Sequence, residues 1–66
     1  MLLFATSEHA AQAVVSTLRD AGIDASSSQR VGRYSVSVKF VEGREAEVLD
    51  IARAVDPAVQ IKSTGT

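Results

Sequence analysis

The stretch RYSVSVKF, Arg33 to Phe40, alternates polar and apolar residues without interruption. Successive side chains of an extended strand point to opposite faces. Tyr34, Val36, Val38 and Phe40 are therefore expected to face a core, and Arg33, Ser35, Ser37 and Lys39 to face water. A strand with one wet side belongs to a sheet covered on one face only. The flanking sequence must supply both its neighbours and its cover.

Upstream, RVGR at Arg30 to Arg33 reads as a hairpin reversal, because Gly32 can take the positive φ that a tight turn requires. IDASSSQ, Ile23 to Gln29, reads as a polar edge strand with Ile23, Ala25 and Ser27 on one side. Before it, Ala11, Val14, Leu18 and Ala21 recur at spacings of three and four, which gives a helix with one apolar stripe. Thr6 or Ser7 can cap its start, and Glu8 suits the positive end of the helix. Gly22 closes it as a left-handed cap, with Ile23 placed for the apolar contact that accompanies such caps. MLLFAT, Met1 to Thr6, reads as a short buried strand.

Downstream, EGR at Glu42 to Arg44 breaks the alternation. Glu45 to Val55 reads as a second helix, with Val48, Ile51, Ala52 and Val55 facing inward and Leu49 beside them. Asp56–Pro57 stops it, since the residue before proline is pushed out of the helical region. AVQIKS, Ala58 to Ser63, supplies a last strand with Val59 and Ile61 inward and Gln60 and Lys62 outward. Residues 63–66 are expected to fray.

The order is strand, helix, strand, strand, helix, strand, within a single domain spanning 1–66. Two right-handed βαβ crossovers interleave to give a four-stranded antiparallel sheet of order 4-1-3-2 with both helices on one face. This α+β pattern resembles the ferredoxin-like, or split βαβ, superfold. That fold hosts many unrelated activities, so function has to be argued from a site.

Composition narrows the options. A chain of 66 residues buries only about 60% of its unfolded surface, and self-association is a common remedy for so thin a core. There is no cysteine, which removes disulfides, thiolate metal sites and cysteine nucleophiles and fits an intracellular address. MLLFA is too short for a signal-peptide core or a membrane span, so a cytoplasmic location without membrane contact is expected. Net charge is −1 and the sequence pI is about 5.6, so attraction to phosphate must come from a patch. Alanine, valine and arginine are abundant while lysine and isoleucine are scarce. This short chain with its GC-rich bias also resembles small proteins of actinobacteria and their phages.

No catalytic or cofactor site is expected. His9 has no second histidine or cysteine to share a metal with, and no serine–carboxylate arrangement around it. Glu42, Glu45, Glu47 and Asp50 straddle a helix start, where acids are favourable without any metal. Among ferredoxin-like proteins, metal carriers use a Cys-x-x-Cys in the first loop and acylphosphatases an arginine there. ACT-type amino-acid sensors, which the fold also resembles, use a glycine. The loop here reads ATSEH. RNA-recognition domains stack bases on aromatics pointing out of the sheet. With Tyr34 and Phe40 facing the helices, that platform is missing.

Two surface features remain. The open face and hairpin are expected to carry Arg30, Arg33, Lys39 and Lys62 among Ser35, Ser37 and Gln60, with most acids on the helical side. The first strand is apolar on both parities, Leu3 and Ala5 on one and Leu2 and Phe4 on the other, so the centre of the open face needs a cover. Leu3 is taken with the basic and polar set as the interaction surface. The expected role is a non-enzymatic protein-interaction module. Its partner is a second copy, a homodimer formed through the sheet face or an edge, or another cellular or host protein. Weak nucleic-acid binding by the basic face and an ACT-like ligand domain are the alternatives.

Overall fold

Six elements form in the expected order, each bounded by the chemistry of its ends. The structure, a computed structural model, describes residues 1–30 and 32–63, with the backbone alone at Arg30 and Ser63. The elements are β1 (Leu2–Ala5), α1 (Glu8–Asp20), β2 (Asp24–Arg30), β3 (Arg33–Lys39), α2 (Glu45–Val55) and β4 (Gln60–Ser63). The strands form one sheet of order β2-β3-β1-β4, with every neighbouring pair antiparallel. This is the ferredoxin-like arrangement, with both helices on one face. The expected frayed tail lies outside the described residues beyond the backbone of Ser63.

Ser7 caps α1: its backbone is extended and its Oγ accepts from the Ala10 amide at 3.1 Å. The far end closes as a Schellman motif, with Gly22 at φ +80°, its amide donating to Arg19 O at 3.0 Å and the Ile23 amide to Leu18 O at 2.9 Å. Ile23 is buried just beyond the cap. Val14, Leu18, Val48 and Ala52 from the helices meet Leu3, Val36, Val38 and Ala25 from the sheet in one core. Val15 joins them, whereas Ala21, expected in the stripe, lies past the last turn and is exposed.

The sheet register decides which side of β1 is inside. Met1 and Val38 exchange both backbone bonds at 2.8 Å, and Leu3 stands opposite Val36. Leu3 is therefore fully buried beneath the helices, and its expected place on the interaction face is corrected. Leu2 and Phe4, opposite Ser37 and Ser35, occupy that face instead.

Phe40 is the second correction. It was expected inward with Val36 and Val38, yet it is 85% exposed at φ +59°. β3 ends at Lys39, and the left-handed turn at Phe40 breaks the period-two alternation, so parity no longer assigns its ring to the core. The next residue, Val41, is buried in its place. Ile61 is also drier in expectation than in fact. It pairs with Leu3 but lies on the short outer strand, and its side chain is 39% exposed. Ser27, expected on the inner side of β2, is exposed at the sheet edge.

Asp56, expected only to stop α2, ties the two ends of the fold together. Its Oδ2 accepts from the Thr6 amide at 2.8 Å and the Thr6 hydroxyl at 2.9 Å, and its Oδ1 accepts from the Ala58 amide at 3.2 Å. The residue is buried, and these donors replace the water it has lost. Thr6 is thus committed to Asp56, which explains why Ser7 rather than Thr6 caps α1.

In urea unfolding, Leu3→Ala should cost about 2–5 kcal/mol through the cavity it leaves. Asp56→Ala should cost about 1–3 kcal/mol by stranding the Thr6 amide. Phe40→Asn should stabilise by up to about 1 kcal/mol, because asparagine tolerates the left-handed conformation better.

Candidate interaction surface

The face of the sheet away from the helices is built from alternate residues of four strands. β3 contributes Arg33, Ser35, Ser37 and Lys39. The register adds Ser28 opposite Ser35, Ser26 opposite Ser37 and Asp24 opposite Lys39 from β2. β1 contributes Leu2 and Phe4, and β4 contributes Gln60 opposite Phe4. Pairing shifts between Leu2 and Leu3, which face Ser63 and Ile61, so Lys62 is the extra residue of a bulge. Arg30 stands opposite Arg33 in the ladder, and its side chain lies outside the described residues.

Leu2, Phe4, Ser28, Arg33, Ser35 and Lys62 line a shallow depression of about 290 Å³. Between two of these residues, the Arg33 guanidinium carbon lies 5.5 Å from the centroid of the Phe4 ring. A planar cation over an aromatic face is attracted by the ring quadrupole and shields part of the ring from water. Leu2 and Phe4 are both half-buried, so the depression presents a small apolar floor with a cationic rim.

Most of the sequence-predicted set is brought together here: Arg33, Ser35, Ser37, Lys39, Gln60 and Lys62 share the open face. Sequence reasoning missed Phe4 as the aromatic of this face, and Asp24 as an acid on it. Asp24 stands directly opposite Lys39, so the positive character concentrates toward Arg33 and Lys62. The signal for Asp24 was present, since residues two apart from Ser26 and Ser28 share their side. Phe4 could not be assigned from parity alone, because both sides of β1 are apolar. The helical side carries Glu8, Asp20, Glu42, Glu45, Glu47 and Asp50 against Arg19, Arg44 and Arg53.

Of the three aromatic rings, Tyr34 packs against the core from the helical side, Phe40 sits beyond the end of β3, and Phe4 alone lies on the open face. His9 is exposed in the first turn of α1. Within the acidic cluster, the Arg44 Nε lies 2.7 Å from a Glu47 oxygen, a surface pair of small energetic weight. Among the described residues no three potential metal ligands converge, and no helix is long and apolar enough to cross a membrane.

No protein-family model matches this chain, and no match was found among curated proteins or solved structures.

A double-mutant cycle on Arg33→Ala and Phe4→Ala, read by urea unfolding, should return a coupling of about 0.5–1 kcal/mol, the size of a partly exposed cation–π contact.

Proposed function

We propose that this chain is a non-enzymatic protein-interaction module that associates with itself and offers the open face of its sheet to other proteins. One observation carries the reading: the central strand β1 is apolar on both sides while only one side is covered. Leu3 lies under the helices, and Leu2 and Phe4 look out from a sheet with no layer above them among the described residues. An outward apolar pair at the centre of a polar sheet is where a partner gains most by excluding water. Phe40 adds an exposed ring beyond the end of β3. The small core supplies the reason for assembly. An origin in a GC-rich genome or a phage belongs to the same reading and is supported by composition alone.

A second reading, weak binding of single-stranded nucleic acid, is favoured by the placement of Arg33 over Phe4 with Lys62 nearby. An aromatic face beside cations can stack a base and neutralise phosphates. The module-wide charge of −1 and the single ring on this face weigh against it.

Sedimentation of the wild-type chain over micromolar concentrations should give twice the 7.0 kDa monomer mass. A strict monomer would remove the self-association. In affinity capture from the native cell, a protein held by the wild type and lost with Phe4→Glu supports the open face as the docking surface; equal retention by both removes it. For the nucleic-acid reading, Arg33, Lys39 and Lys62 would give a log–log salt slope of about −2 on single strands. Retention insensitive to salt would end it.

A further inference from the structure

The two edges of the sheet are built differently. β4 is a four-residue strand with a bulge and Lys62 in it, devices that discourage pairing with another chain. β2 is a regular seven-residue strand paired to β3 without a register shift. Between Asp24 and Gln29 it carries neither proline nor lysine, and three consecutive serines place no bulk beside its backbone.

The backbone of β2 has a defined outward set. Because Val38 exchanges both bonds with Met1, the residues of β3 that bond to β1 are Tyr34, Val36 and Val38. The alternate residues Arg33, Ser35, Ser37 and Lys39 bond to β2, where they face Arg30, Ser28, Ser26 and Asp24. Ala25, Ser27 and Gln29 therefore turn their amides and carbonyls away from the sheet. The Ala25 carbonyl accordingly accepts from Arg19 Nε at 2.9 Å, and a carbonyl oxygen has a second lone pair with which to accept from a paired strand.

We propose that two copies pair antiparallel along β2 about a two-fold axis at Ser27, joining their sheets into one of eight strands. This rests on the self-association proposed above and specifies its geometry. Ser27 is both the midpoint of the strand and a member of its outward-bonding set. Centred there, Ser27 exchanges both bonds with Ser27 of the second copy. Ala25 and Gln29 exchange theirs with Gln29 and Ala25. Ser26 stands opposite Ser28, and Asp24 stands at the register position of Arg30. One strand thus carries an acidic residue at one end and a basic residue at the other, so that antiparallel pairing about its midpoint puts Asp24 and Arg30 at the same register position twice. Any other centre shortens the ladder and loses this match.

The alternative is face against face, through Leu2 and Phe4. Along β2, the seam also includes the groove of about 440 Å³ between α1 and β2, lined in part by Gln12, Ser16, Ser26 and Ser27. Edge pairing leaves Leu2 and Phe4 uncovered in both copies, so the dimer presents two identical docking faces on one side of a continuous sheet.

The experiment is sedimentation of the whole chain and its variants, with far-UV circular dichroism as the check on folding. Ser27→Pro removes an amide that does not bond to β3, so the variant should remain folded and become monomeric. Asp24→Arg alone and Arg30→Asp alone should each weaken the dimer about tenfold by placing like charges opposite. Mixing these two single variants should restore a heterodimer, a result that holds even if Ser27→Pro fails to fold. A folded Ser27→Pro chain as dimeric as the wild type, or a charge-swapped mixture that stays monomeric, overturns the edge pairing. If Ser27→Pro remains dimeric while Phe4→Glu does not, self-association stands and the β2 seam falls. A wild type monomeric throughout removes both.

Discussion

The antiparallel register of β1 against β3 is the constraint on which the rest of this small molecule depends. It is pinned where Met1 and Val38 exchange both backbone bonds at 2.8 Å. A slip of one residue would turn every side chain of β1 to the other face. Leu3 would leave the core, Leu2 and Phe4 would enter it, and the Arg33–Phe4 contact could not form. The same register dictates which amides of β3 reach β2, and through them which backbone groups of β2 point into solvent. Core, open face and free edge thus follow from one alignment.

Around that alignment the fold economises on polar burial. Asp56 is its one buried acidic or basic residue among those described; two hydrogen bonds from Thr6 tie the end of β1 to the end of α2, and a third, from the Ala58 amide, closes its own turn. Such a group is costly without partners and specific with them. Because Thr6 is occupied by Asp56, Ser7 caps α1. The short loop after β1 is therefore a structural joint whose polar groups already have internal roles. The two surfaces on which the proposed binding rests are the open face and the edge, and they differ in kind. The face offers a small apolar floor ringed by cations, suited to side-chain recognition. The edge offers backbone groups turned off the sheet, the kind of surface to which an extended strand can be added.

Several features were legible in the letters because they rest on local chemistry. Gly22 with Ile23 announces a helix end, Ser7 with Glu8 a helix start, and the run from Arg33 to Lys39 a half-wet strand. Their order left one sensible topology. Phe40 was misread because alternation was carried one residue past the end of the strand, where a left-handed turn had already interrupted it. Leu3 was misplaced for a different reason: when both faces of a strand are apolar, period-two patterning has nothing to distinguish them.

By itself the sequence determined the six elements, their order, and the division of β3 into wet and dry sides. Each of these depends on neighbours a few residues apart, whose capping, turn and alternation preferences act before the chain is compact. Only the tertiary structure decided that Leu2 and Phe4 rather than Leu3 face outward, that Asp56 reaches Thr6, and that Ala25, Ser27 and Gln29 aim their backbone groups off the sheet. Those outcomes are fixed by pairing between residues far apart in the chain, and a strand apolar on both sides or polar on both sides carries no local mark of which partner it will meet.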